Sequence, residues 1–222
     1  MTDLIDTHIS ARVPDQEGYF LINRYGVLFH EMRASDLVKI DLHGNVVEPG
    51  LTQDSINRAG FIIHSAIHDA RADVDCVVHT HTSAGMAVSA QEEGLLPITQ
   101  HALKYYNCLS YHDYEGIALN PDERSRLVVD LGQHQAMVLR NHGLLAVGGS
   151  IAEAFNQIYF LERACQAQVA ALTGGRQLRY PPRAVCELVA TQCREEITSG
   201  LHHLAWESAK RLLGEQHLEY CQ

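Results

Sequence analysis

The sequence predicts an α/β fold, a three-layer α/β/α domain around a mixed sheet, on three observations. Apolar runs of strand length alternate with helical patterns, but without the strict βαβ regularity of a doubly wound sheet. Glycines and Asn/Asp/Pro clusters fall between those runs at turn spacing. The chain has 222 residues, 46% of them hydrophobic and 20% charged, which fits one globular body with its own core. A chain of this size buries about 70% of the surface its unfolded form exposes, so it folds without disulfides or a structural metal.

The elements follow in order. Short apolar runs at Tyr19–Asn23, Val27–His30 and Leu37–Leu42, separated by Gly18, Gly26 and Gly44, read as an antiparallel meander. From Thr52, a plausible N-cap, Ile56, Ala59, Ile63 and Ile67 recur at helical steps as far as Asp69. Asp75–His79 reads as a strand, Ala84–Gln91 as a helix of small residues and Cys108–Tyr111 as a strand. Asn120-Pro-Asp-Glu123 is a helix start, because Asn caps, Pro fits the first turn and Glu sits third; that helix ends at Gly132. Strands at Ala136–Arg140 and Leu144–Val147 flank a sharp Asn141-His-Gly143 bend. Ser150-Ile-Ala-Glu153 opens a long helix that Gly174-Gly175 closes. After the Pro181-Pro182 joint, Val185–Leu213 reads as a last amphipathic helical segment.

Charge narrows the function classes. With 17 Lys+Arg against 27 Asp+Glu the net charge is −10, which argues against nucleic acid and against an anionic membrane surface. The start lacks the basic and apolar regions of a signal peptide, and no stretch approaches a membrane span. Six cysteines without a C-x-x-C pair suit reduced thiols, so the expectation is a soluble cytoplasmic protein. The outlying number is 14 His, nearly as many as all Lys and Arg.

Three of these histidines are organised. His79 and His81 end a strand, and side chains two apart on an extended chain point the same way, so both can reach one ion. His142, in its tight bend, is the best third ligand. Three imidazoles with an open fourth position describe a catalytic-type Zn²⁺ site, or one for another first-row divalent metal. His8, His30, His43, His112, His134, His202, His203 and His217 have no comparable spacing and read as surface or packing residues.

The combination Asp73-Val-Asp-Cys-Val-Val-His-Thr-His81, Tyr111-His-Asp-Tyr-Glu-Gly116 and Arg140-Asn-His-Gly143, followed by the Glu153-Ala-Phe helix, resembles the class II aldolase/adducin family. The resemblance covers about residues 7 to 175, and Ala59-Gly-Phe, His64-Ser-Ala-Ile-His68 and Leu95-Leu-Pro-Ile-Thr-Gln100 look closer to its adducin branch than to its sugar-phosphate enzymes. It implies a central mixed, largely antiparallel sheet, a class II aldolase-like domain over 1–175, and a helical extension over 176–222 packed on that domain or on a neighbouring subunit. It implies that His79, His81 and His142 bind a divalent metal, Zn²⁺ foremost with Mn²⁺ or Fe²⁺ as alternatives, that stabilises an enediolate when a carbon–carbon bond breaks. Tyr111 falls where those aldolases have a proton donor supplied by a neighbouring subunit, which implies a homotetramer.

The resemblance also marks departures. The aldolases carry a glutamate, ligand and base, one helix turn before the position of His64; here that position is Gly60. Phosphate-cradling serines become Arg58-Ala59, and a Gly-Asn motif becomes Thr7-His8, although Gly26 is retained. His64 shares a helix face with Gly60 and is the candidate substitute, with His68, His101, Asp113 and Glu115 weaker ones. Three readings stay open: a metal-dependent lyase or epimerase on a small keto sugar, polyol or related carbonyl compound; a non-catalytic adducin-like binding module; and a three-histidine non-haem iron oxygenase.

Overall fold

The computed structural model describes residues 3–47, 50–116 and 122–222, apart from the side chains of 215–218. Strands β1 (His8–Arg12), β2 (Tyr19–Ile22) and β3 (Val38–Asp41) come first, then α1 (Arg58–Ala70), β4 (Cys76–Thr80), α2 (Ser83–Ser89), α3 (Gln100–Leu103) and β5 (Ser110–His112). After these come α4 (Glu123–Leu131), β6 (Ala136–Leu139), β7 (Gly143–Gly148), α5 (Ile151–Leu172), α6 (Arg183–Thr198), α7 (Leu201–Lys210) and the short α8 (His217–Tyr220). The sheet runs β3-β2-β1-β4-β7-β6-β5. All pairs are antiparallel except β5 with β6, so the expected mixed, largely antiparallel three-layer sheet is what the chain forms.

Strand alternation divides the core in two. Cys76, Val78, Val138, Leu144 and Ala146 face α5 and α2, and meet Ala154, Ile158 and Leu161. Val77, Met137, Leu139, Leu145 and Val147 face the other way, onto Ile63 and Ile67 of α1 and Leu127 and Leu131 of α4. A smaller apolar cluster, Phe20, Ile22, Val38, Ile40 and Ile56, closes the β2–β3 end. No helix among the described residues is long and apolar enough to cross a membrane.

Several elements differ from expectation. The 27–30 run is turn and bend rather than strand, and its place in the meander is taken by β1. That strand hides from pattern reading because its polarity is inverted: His8 and Ser10 are buried while Ile9 is 40% exposed. The inversion is dictated by the helix it faces, whose inward residues include Gly60, His64 and His68. Thr52 opens only a 3-10 turn over Gln53–Ser55; α1 starts later, where the Asn57 side chain accepts hydrogen bonds from the Ala59 and Gly60 amides. The Asn120-Pro121 cap lies outside the described residues, and α4 runs from Glu123 with Asp122 in the N-cap position. Ser150 caps α5 as expected, accepting from the Glu153 amide, while the Glu153 carboxylate accepts from Gly149. The last segment is broken at Gly200, whose φ of +80° ends α6 and starts α7. Its α7 part packs against α5 through Trp206, whose ring meets Phe155 edge-on at 5.2 Å, while α6, which buries Cys186 and Ala190, lies against α3 and α7.

Candidate metal centre

β4 carries His79 on its inward face next to Val77, and His81 follows two residues later, just past the strand end. His142 arrives from the turn between β6 and β7. Asn141 there adopts a left-handed φ of 55°, and the His142 amide donates to Leu139. Gly143 makes the approach possible: a Cβ at that position would lie 2.4 Å from the Thr80 carbonyl oxygen, so only glycine lets β7 begin against the end of β4. Two sequence-distant turns are thereby pressed together, and one nitrogen from each of His79, His81 and His142 lies within 4.8 Å of the others.

The protonation pattern defines what the cluster can hold. His79 Nδ1 lies 2.9 Å from the Leu144 carbonyl, which can only accept, so Nδ1 carries the proton and Nε2 the lone pair. His81 Nδ1 likewise faces the Asp3 carboxylate at 2.6 Å. The Nε2 atoms then converge, His79 on His81 at 2.8 Å and His81 on His142 at 2.9 Å. Two lone pairs at that distance repel unless an electrophile sits between them, and bonds of about 2.0–2.1 Å to one ion span such separations. The pairing of the outer nitrogens of His79 and His81 with a carbonyl and a carboxylate is the usual support of a metal-binding imidazole. The donor set therefore fits a divalent first-row cation.

Burial favours the neutral form of His79 and His142. It pushes His79 well below the usual histidine range, with further lowering from His142, His81 and His8. Burial, then the neighbouring His81, lowers His142 to about 4. The centre lies in an open cleft of about 1110 Å³, walled by Asp3, His8, Tyr25, Arg58 and Tyr114 around the three ligands. Tyr114 is half exposed and sets its ring 6.2 Å from that of His142.

The other candidate residues fall as follows. His64 is fully buried, with Nδ1 2.7 Å from the Ser10 hydroxyl, and burial, then His8 and His68, holds it well below its ordinary pKa. His68 shares that hydroxyl through Nε2 at 2.8 Å. Tyr111 pairs with Val138 and packs on the α5 side of the sheet, opposite to His79; its hydroxyl accepts from the Leu95 amide at 3.0 Å and Arg140 stacks over its ring at 4.3 Å. The Tyr111 side chain therefore reaches no ligand of its own centre. His101 packs on Phe160, and Glu115 pairs with Arg126. Asp113 lies in a shallow pocket with His112.

Two residues at the centre escaped the sequence reading. Asp3 supports His81, but a lone aspartate near the chain start carries no motif. His8, read as surface or packing, is 4% exposed and stands directly across from His79 in the β1–β4 register, its ring stacked on that of His79 at 5.9 Å and 17°. Its only signal was the inverted polarity of β1.

The fold and the three-histidine cleft define a class that the comparisons bear out. The model of the class II aldolase and adducin N-terminal domain matches residues 1–169, and the chain belongs to that family. A solved aldolase II superfamily protein from Pseudomonas syringae is 48% identical, superposes with a TM-score of 0.93, and is matched over 99% of this chain and 87% of its own. L-fuculose 1-phosphate aldolase from Glaciozyma antarctica is 27% identical with a TM-score of 0.81, over 98% of this chain and 84% of that one. Alpha-adducin of Rattus norvegicus is 46% identical over 172 residues, covering 77% of this chain but 23% of adducin.

Proposed function

We propose that the chain is a metal-dependent carbon–carbon lyase or epimerase acting on a small keto sugar, polyol or related carbonyl compound, with His79, His81 and His142 as ligands and Zn²⁺ as the foremost cofactor. The observation that carries this reading is the convergence of their nitrogens, two of them fixed as lone pairs by the Leu144 carbonyl and the Asp3 carboxylate. Likeness to L-fuculose 1-phosphate aldolase supports the substrate class. A divalent cation supplies Lewis-acid stabilisation of negative charge developing on a carbonyl oxygen. The protein contributes the rest. Leu144 and Asp3 hold two rings in one tautomer, burial of His79 keeps water from its donor atom, and the open side of the cleft at Tyr25 and Tyr114 admits a small polar molecule. Because Tyr111 faces away from its own centre, a proton-donating role for it is exercised on a neighbouring subunit, which makes the functional unit a homotetramer in this reading. Residues 176–222 form a helical extension of the 1–175 domain, and the six free thiols suit the cytoplasm.

Identity to alpha-adducin favours a second reading, a binding module without turnover. Metal analysis separates the two. The enzyme reading expects close to one equivalent of bound metal per chain and retro-aldol cleavage of a ketose by the zinc-loaded protein. A chain that retains no Zn²⁺, Mn²⁺ or Fe²⁺ is a binding module, and oxygen consumption by an iron-loaded sample without cleavage marks an oxygenase.

A further inference from the structure

His8 carries two unpartnered nitrogens at the edge of the centre. Neither Nδ1 nor Nε2 has a hydrogen-bond partner among the described residues, although the side chain is 4% exposed and forms part of the cleft wall. One face of the ring is stacked on His79 and another side meets His64 edge-on at 5.8 Å and 85°. The ring also fills the notch at Gly60: a Cβ there would lie 2.5 Å from His8 Cγ and Cδ2 and 2.7 Å from Nδ1. Behind it, His64 is held by Ser10, whose hydroxyl also bonds His68 and can donate to one ring while accepting from the other. The imidazole is thus fixed from three sides by groups that make no hydrogen bond to it. A buried imidazole with neither nitrogen paired is costly, and folded proteins rarely tolerate one without a ligand or function.

From this geometry we infer that His8 is a substrate-binding residue, hydrogen-bonding a hydroxyl or carboxylate oxygen of a small carbonyl compound held at the three-histidine centre. His64 and Ser10 are positioning residues behind it. The inference rests on the metal-centre reading above, and it gives the Gly60 position a chemical meaning. Where the family resemblance places a glutamate, this chain has removed the side chain from the helix and returned a polar group to the same space from β1. A neutral imidazole brings one N–H and one lone pair in place of a carboxylate's negative charge. The site then favours a ligand that carries its own negative charge or a hydroxyl near the carbonyl, because no fixed anion opposes it at that point.

The test uses Co²⁺ and acetohydroxamate, a bidentate oxygen ligand, with the full-length protein. Visible absorption reports Co²⁺ uptake by the wild type, His8→Phe and His8→Asn, and the change in that band reports hydroxamate affinity. His8→Phe keeps a ring over Gly60 without nitrogen; His8→Asn keeps an amide and relieves the packing. The expected result is Co²⁺ affinity within about threefold of wild type for both variants, with hydroxamate binding weakened about tenfold in His8→Phe and partly recovered in His8→Asn. Unchanged hydroxamate affinity in both variants overturns the inference. So does a hundredfold loss of Co²⁺ affinity, which would make His8 a ligand of the metal instead. If the wild type itself takes up no Co²⁺, the centre reading falls and this inference with it, an outcome distinct from the other two.

Discussion

Replacing Gly60 by Ala is the most direct probe of how tightly the centre is packed. In an exposed helix this change stabilises by about 1 kcal/mol, since glycine loses more backbone freedom on folding. At Gly60 the new Cβ would sit 2.5 Å from ring carbons of His8. The ring has little room to retreat, because His79 lies parallel to it on one side and the edge of His64 abuts it on another. Overpacking of this kind costs about 1–3 kcal/mol, and if the upper half of that range applies, the helical gain is outweighed by about 1–2 kcal/mol. For a chain of this length each kcal/mol moves Tm by about 2–4 °C, so Gly60→Ala should lower Tm of the metal-free protein by about 2–8 °C. A double-mutant cycle with His8→Ala removes the obstacle and should show a coupling energy of at least about 1 kcal/mol. A rise in Tm for Gly60→Ala alone, or additivity of the two changes within about 0.5 kcal/mol, would refute the packing argument.

Further outcomes follow from other contacts. His142→Ala should abolish most metal uptake, and Asp3→Asn, which loosens the support of His81, should weaken it about 10–100-fold in a competition titration with a chromophoric chelator; equal affinities would exclude both roles. His68, lowered from 6.5 to about 4 chiefly by burial and then by Arg12, stays neutral in the fold while the unfolded chain takes up a proton. Stability of the metal-free protein should therefore fall as pH drops from about 6.5 to 4, and be insensitive to this group above that window. One such shift amounts to at most roughly 3 kcal/mol, so urea unfolding at pH 5 and pH 7 should differ less in His68→Gln than in the wild type. Ser150→Ala removes the cap of α5 and should cost about 1 kcal/mol in urea unfolding with no change in Co²⁺ affinity.

Legibility of this chain tracks the range over which its signals act. The His79/His81 pair and the Asn141-His-Gly143 bend are local patterns, and each lands at the centre because a strand end and a tight turn are decided by neighbouring residues. Ser150 at the start of α5 was readable for the same reason. The run at 27–30 was misleading because an apolar tetrad becomes a strand only if a neighbour pairs with it, and β1 pairs β2 and β4 instead. β1 itself was illegible because its inward residues are polar, a choice explained by histidines of α1 more than 50 residues away. His8 enters the centre through the β1–β4 register and the space over Gly60, neither of which is a local pattern. Tyr111 matches a family position, yet which face of the sheet it occupies depends on the β5–β6 register.

The bond between Asp3 and His81 has a topological consequence. It joins points 78 residues apart, while the contact between His81 and His142 spans 61; a cation on the three histidines would clamp the second loop, and the Asp3 hydrogen bond closes the first. Loops of such length are entropically similar to close, differing by a few tenths of a kcal/mol, but neither closes until distant strands have met. The centre therefore requires the β1–β4 and β4–β7 pairings to be in place. A cation that binds only the finished arrangement, at a thousandfold excess over its Kd, adds about 4 kcal/mol to the folded state. Asp3 meets the centre through His81, so a cation that fixes the His81 ring also steadies the Asp3 bond, and order in the segment before β1 should report whether the centre is filled.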